Sequence, residues 1–285
     1  MFGATIDYYL LKPLTHSRNR AMESELNEQV KQSAYTLDEA RAYLDRFQTE
    51  YFEHRFPIDP NMSYLDIGCG MGRLSLGLSC AGATDVTGID IVERNIEEAK
   101  KLSSQIRGVH RPKFYCTDVH AWKSERQYDV IITLGAMEHI HDPADYLHLL
   151  PSILKPTGQA FVSFEPFQSP LGDHMSAFFD IQIPWRGLIF SEKALLRLRS
   201  ECFRPTDPAK RYQDIVGGLN LMTFSQYLKW AHDAGLEFVF HNFNPQLKHY
   251  RRYLPLYPFS WALTRIPKVQ DYFGIYVYSI LKRRR

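Results

Sequence analysis

The chain is short of cysteine, of long apolar runs and of net charge, and each shortage excludes something. Its four cysteines, Cys69, Cys80, Cys116 and Cys202, are scattered and form no C-x-x-C pair. That argues for a reducing compartment in which small buried thiols are the usual role. No stretch reaches the roughly 18 apolar residues of a membrane-spanning helix. Residues Met1 to Asp7 lack a basic run followed by an apolar one, so nothing reads as a signal peptide. Together these features predict a cytoplasmic soluble protein. A formal net charge of +2 makes no general case for a nucleic-acid partner. There is no internal repeat and no low-complexity tract. What is present, 45% hydrophobic residues in a chain of 285, can bury one large α/β core with room for one cap or insertion.

Against that background one run is highly informative: Tyr64-Leu65-Asp66-Ile67-Gly68-Cys69-Gly70-Met71-Gly72-Arg73-Leu74-Ser75. An apolar strand ends on an acid, passes three alternating glycines and opens a helix. Glycines at this spacing let the backbone turn tightly and let a ligand approach closely, because no Cβ blocks either. A dinucleotide loop puts its third glycine one position later. That position is Arg73 here, so a phosphate-binding loop fits badly. The next apolar segment, Val86 to Asp90, ends on an acid about 20 residues beyond the glycines, where a carboxylate can hold both hydroxyls of a ribose. Ile91 follows and could lie against a base. Further segments read as strands at Lys113–Cys116, at the nearly all-apolar Tyr128–Thr133, which suits a strand covered on both faces, and at Gln159–Phe164 after the turn Lys155-Pro156-Thr157-Gly158.

In this order and spacing the chain resembles the class I S-adenosylmethionine-dependent methyltransferases, strongly over residues 60 to 165 and more loosely over 223 to 281. The resemblance implies an α/β fold: a Rossmann-like, doubly wound, seven-stranded sheet with an antiparallel last strand, N-terminal helices and a lid insertion after strand five. It also implies the cofactor S-adenosyl-L-methionine. Asp66, Gly68, Cys69, Gly70 and Gly72 would serve its methionine end, and Asp90 and Ile91 the ribose and adenine. Asp118 would accept from the adenine amino group, with the Val119 amide facing the ring, and Leu134 would open the segment after strand four. Leu134-Gly135-Ala136-Met137-Glu138-His139-Ile140 is a good match to the family at that point.

The parts outside this core bear on the substrate. Residues 1–62 read as an N-terminal helical cover and 63–285 as the methyltransferase domain. Thr36 followed by Glu39 forms a capping-box pattern, and Ala40, Tyr43, Leu44 and Phe47 an apolar stripe at helical spacing. Residues 166–222 make an insertion far longer than an ordinary connection of about 2–6 residues. Ligands of such sheets bind beyond the carboxyl ends of the strands, so this insertion reads as the acceptor-binding lid. Within it Trp185 and Arg186, just after Pro184, are expected to face the acceptor. Lys248, His249, Arg251, Arg252, Arg265 and Lys268 alternate with aromatic residues toward the end of the chain. The segment reads either as aromatic packing with a charged rim or as a peripheral membrane contact.

Methyl transfer from a sulfonium is an in-line displacement that alignment can largely drive, and a hydroxyl acceptor also gains from a base. Candidates for that base are His139, and then Glu165, Asp173 and His174. Imidazoles and carboxylates at His139, His141, Asp142, Asp173 and His174 could suit a divalent ion, but their spacing matches no established ligand set, and no metal is expected. The reading favours O-methylation of a sugar or other hydroxylated small molecule. A lipid or quinone acceptor, or a cofactor-binding protein without turnover, are the alternatives.

Overall fold

The computed structural model describes residues 3–15, 36–105, 110–181, 183–204, 209–215, 218–244, 257–267 and 269–284. Helix α1 (Ala4–Leu11) and helix α2 (Leu37–Arg46) precede β1 (Ser63–Ile67), α3 (Arg73–Cys80), β2 (Asp85–Asp90), α4 (Glu93–Gln105) and β3 (Lys113–Cys116). Then come β4 (Tyr128–Leu134), α5 (Pro143–Ile153), β5 (Leu154–Phe164) and the insertion, which contains α6 (Arg186–Ile189) and α7 (Glu192–Leu198). The chain finishes with α8 (Phe224–Asp233), β6 (Leu236–Asn244), α9 (Tyr257–Leu263), α10 (Gln270–Phe273) and β7 (Tyr276–Arg283).

The seven strands form one sheet in the order β3-β2-β1-β4-β5-β7-β6. β1 to β5 are mutually parallel, and β7 runs antiparallel between β5 and β6. The strand order reverses between β1 and β4, and a doubly wound sheet opens its ligand crevice at such a switch point. Side chains alternate across the sheet with period two. Leu65, Ile67, Ile131 and Val162 pack with α5 and α8 on one face, while Tyr64, Val130, Ile132 and Phe161 pack toward α2 and α3 on the other. Both faces are covered, which is why the central strands are apolar throughout.

Several expected boundaries move. The Lys155-Pro156-Thr157-Gly158 turn lies inside β5 as an irregularity, since Tyr128 pairs with Leu154 but Val130 with Gln159. The last strand starts at Tyr276, because Gln270–Phe273 closes a helical turn ahead of it. The capping box on α2 forms in full: the Glu39 amide donates to Thr36 Oγ1 and the Thr36 amide to Glu39 Oε2. A second one, Thr223 with Gln226, starts α8. The two N-terminal helices have different destinations. α2 packs on α3, whereas Tyr8 and Leu11 of α1 join the apolar cluster of the insertion. Asp7 accepts there from the Ser191 amide at 2.8 Å. No helix among the described residues is long and apolar enough to cross a membrane. The basic residues Lys248, His249, Arg251, Arg252 and Lys268 lie outside the described residues.

Candidate functional site

At the carboxyl ends of β1, β2 and β4 a cleft opens in two lobes of about 260 Å³ each, both bordered by Gly68 and Asn95. One lobe lies over the glycine loop. Asp66, Cys69, Gly70 and Leu134 line it, together with Tyr43 from α2 and Arg73 at the start of α3. The other takes Asp90, Ile91, Asp118 and Val119, with His139 and His141 at its rim. Nine of the ten expected cofactor residues therefore border one cleft. Gly72 does not, and its role needs correction. It holds φ +75 at the start of α3, and a Cβ there would meet the Phe114 ring at 2.6 Å. It is glycine so that β3 can pack on that turn, not so that a ligand can approach. At Gly70, with φ +52, an added Cβ would meet nothing within 4 Å. The space in front of it is the lobe itself.

The electrostatics of the cleft suit a ligand with a cationic end and a ribose. Burial pushes the Asp66 carboxyl up to about 6, against the hydrogen bond it accepts from Ser75 Oγ at 2.7 Å; neighbouring Asp90 pushes the same way as burial. A carboxylate so short of partners gains from an ammonium brought into the lobe. Asp90 accepts from the Gly70 amide at 2.9 Å and the Val92 amide at 2.8 Å. These bonds tie the tip of β2 to the glycine loop and aim the acid into the cleft. Asp118 is pinned likewise by the His120 amide at 2.7 Å. Burial, then Asp66 and Asp90, push the Cys69 thiol upward, so it packs as a neutral wall. Tyr43 and Arg73 are members of the site that the motif did not announce. Tyr43 was legible only as part of an apolar stripe. Its hydroxyl is pushed up to about 12, by burial first and then by Tyr51 and Asp66.

The insertion folds over the same edge of the sheet and encloses a smaller cavity of about 140 Å³. His139, Asp173, His174, Arg199 and Arg204 line it on its polar side, and Met175, Phe178, Ile215 and Leu219 on its apolar side. His139 belongs to both cavities and stands at the wall between them. Its Nδ1 lies 2.7 Å from the Gly218 carbonyl oxygen. A carbonyl only accepts, so Nδ1 carries the proton and Nε2 carries the lone pair. Asn220 fastens the same stretch: its amide donates to the Glu138 oxygen, and its side chain to the Met137 and Ile140 oxygens at 2.7 and 2.9 Å. The end of the insertion is thereby stitched to the turn carrying His139. Nothing in the sequence marks Asn220, because its partners are backbone atoms about 80 residues away.

Glu165 and His174 meet, with 3.5 Å between Oε2 and Nε2, and the His174 ring lies edge-on to His139 at 5.3 Å. Burial and then neighbouring Glu138 raise the Glu165 carboxyl to about 8, while burial and then His139 lower His174 to about 4. At neutral pH the pair is therefore a neutral carboxyl beside a neutral imidazole, and neither is a strong base. Glu138 is buried, and its own carboxyl is raised by that burial. Asp142 takes a structural role, capping α5 by accepting from the Asp145 amide.

Asp173, Trp185 and Arg186 require correction. The Arg186 guanidinium donates through Nε and Nη2 to both oxygens of Asp173, at 2.8 and 2.7 Å, and it stacks over Phe179. These side chains are only 1% and 2% exposed. Arg186 is the polar centre of the insertion's core, and it engages the carboxylate that Asp173 would need for catalysis. Trp185 donates from Nε1 to the Tyr272 oxygen at 2.6 Å and packs on Phe273, so it joins the insertion to α10. Spacing after a proline showed that the segment turns; it could not show which way the side chains go.

Glu165 yields a stability prediction. Unfolded, it loses its proton near its ordinary value of 4.5; folded, it holds it to about 8. Within that window the native state binds more protons, so this group's contribution to stability falls as pH rises. Glu165→Gln cannot ionise. Its stability relative to wild type, measured by urea unfolding, is expected to rise steadily across the window. A difference that stays flat with pH would show that the carboxyl ionises normally.

The comparisons with known proteins bear on the family and the fold. The family described as "Methyltransferase domain" matches residues 35–241, and the chain belongs to it. Among similar curated proteins, the ubiquinone biosynthesis O-methyltransferase of Hydrogenovibrio crunogenus is 34% identical over 112 residues, covering 39% of this chain and 46% of that protein. The protein of the same name from Marinobacter nauticus is 40% identical over 101 residues, covering 35% and 42%. The matched stretch thus spans less than half the length of these relatives. An S-adenosylmethionine-dependent methyltransferase from Mesorhizobium loti has a similar fold, with a TM-score of 0.53, 15% identity, and coverage of 87% of this chain and 100% of that one. The seven-stranded architecture and S-adenosylmethionine as cofactor follow from this membership and from the residues lining the cleft.

Proposed function

We propose that this methyltransferase O-methylates a small hydroxylated aromatic compound of the quinol or phenol type, held in the cavity under the insertion. The observation that carries the reading is the position of His139, whose ring borders both the cofactor cleft and that cavity and is oriented by the Gly218 carbonyl. The sugar favoured by the sequence finds no support among the relatives, whose names point to a quinone-type acceptor. Met175, Phe178, Ile215 and Leu219 offer a flat ring an apolar face, and the histidines and arginines opposite them offer its hydroxyls polar partners.

When bound, S-adenosylmethionine supplies an electrophilic methyl group on a positively charged sulfur. Asp66 and the glycine-loop amides would hold its methionine end, and Asp90 its ribose. His139 Nε2 would accept the acceptor's hydroxyl proton as that oxygen takes the methyl group, and the imidazolium so formed would pass the proton on to water. The test is methyl transfer with a simple catechol and with a free hexose, read as S-adenosylhomocysteine formed. Turnover on the catechol alone is expected. Turnover on the hexose alone would overturn the aromatic reading.

A further inference from the structure

Proton removal from a hydroxyl needs only one side chain of the cavity under the insertion. Arg199 and Arg204 stand in the same lining as His139 and have no proton to take. One local device places them both. Directly after α7 the chain makes a wide, five-residue turn, Arg199–Phe203, closed by the Arg204 amide donating to the Arg199 oxygen at 2.7 Å. A turn of this kind, one residue longer than an α-helical turn, recurs at functional sites. Here it brings two arginines five positions apart to one cavity. Phe203, inside the turn, stacks on Phe178 of the apolar side with ring centroids 4.5 Å apart, so the turn is anchored to the cavity wall.

The charges in the lining do not balance. Among the described residues Asp173 is the one carboxylate that borders the cavity, and both its oxygens already accept from Arg186. Burial and then His139 keep the His174 imidazole neutral, and Glu165 beside it holds its proton to about 8. Arg199 is 8% exposed and Arg204 half-buried. Both also interact within the protein, which fixes them. A guanidinium carries five N–H groups in a rigid fork, so an internal partner does not exhaust it. Such a donor can serve a hydroxyl, but two fixed cations in one small lining favour a formal negative charge. A carboxylate suits them best, because its two oxygens match the planar fork with two parallel hydrogen bonds.

We propose that Arg199 and Arg204 form a carboxylate subsite of the cavity, so that the acceptor is an aromatic acid: a phenol or catechol bearing a carboxylate on its ring. The proposal rests on the reading that the acceptor occupies this cavity, and it adds the second group that the acceptor carries.

The experiment uses pairs of compounds that differ in charge and hardly in shape. Calorimetry on the full chain saturated with S-adenosylhomocysteine compares benzoate with benzamide, and methyl transfer compares protocatechuate, a catechol acid, with its amide. Benzoate should bind roughly tenfold or more tighter than benzamide, the effect of one charge-assisted hydrogen bond. The advantage of the acid in turnover should lie in KM and not in kcat. Arg199→Gln and Arg204→Gln should each shrink the benzoate preference, and the two together should bring it close to nothing. Neither residue borders the cofactor cleft, so unchanged S-adenosylhomocysteine affinity is the check that each variant is folded. The wild-type comparison needs no variant at all. Equal affinity of wild type for benzoate and benzamide, or a preference that survives in the double variant, would overturn the subsite. Methylation of catechol with no advantage for the acid would overturn it too, and would leave the aromatic acceptor standing. Benzoate binding that depends on both arginines, with no catechol methylated, would uphold the subsite and overturn the acceptor reading.

Discussion

His139→Ala lowers the turnover rate by roughly 10²–10⁴-fold, the range for loss of a general base, and leaves cofactor affinity nearly unchanged. The other candidate bases, Asp173 and His174 in the cavity and Glu165 beside His174, are poorly suited to the task. Glu165 keeps its proton to about 8, His174 is held neutral and weakly basic with a value of about 4, and Asp173 is bound through both oxygens to Arg186. His139 alone borders both cavities with a lone-pair nitrogen fixed by a backbone carbonyl. His139→Gln separates chemistry from placement, since an amide can still donate to the Gly218 oxygen but cannot take the acceptor's proton. The Gln variant should therefore lose the rate that the base supplies while keeping its cofactor affinity. Near-wild-type turnover in His139→Gln would reduce the residue to a positioning role and leave alignment to carry the reaction.

Arg186→Met destabilises the protein by about 3–5 kcal/mol, because it leaves a buried carboxylate without its partner. Asp173 sits where burial already raises its carboxyl against the pull of Arg186. With the arginine gone, Asp173 takes up a proton more readily. The native variant then binds more protons than its unfolded chain above the ordinary carboxyl value of 3.8, so its deficit relative to wild type should widen as pH rises. Asp173→Leu with Arg186→Met removes both charges at once and should recover most of the lost stability. Thermal and urea unfolding measure all three proteins. If Arg186→Met unfolded like wild type and changed only the KM for the acceptor, the guanidinium would belong to the binding site after all.

Much of the cleft was readable because it is written locally. The spacing of Gly68 and Gly70, the acids ending β1 and β2, and Asp118 after β3 are positions relative to strand ends. Parallel strands pointing the same way bring their carboxyl ends to one edge whatever the remaining sequence does. Gly72 was misread because a glycine needed for packing against Phe114 and one needed for a ligand look alike in sequence. Trp185 and Arg186 were misread for a related reason. An arginine in an insertion is ordinarily a surface residue, and its exception here depends on Asp173 folding back 13 residues to meet it.

By itself the sequence determined where the strands, the glycine turn and the acids at strand ends fall, because these follow from hydrophobic period and glycine freedom, and the resemblance that this pattern carries implied the class of fold and the cofactor. Only the tertiary structure decided the tautomer of His139, the withdrawal of Asp173 into a buried ion pair, the neutral state of Glu165 beside His174, and the stitch that Asn220 makes. Each of these depends on a partner between 9 and about 80 residues distant and on whether water reaches it. Desolvation and hydrogen bonding act through space, and the linear order of residues does not record them.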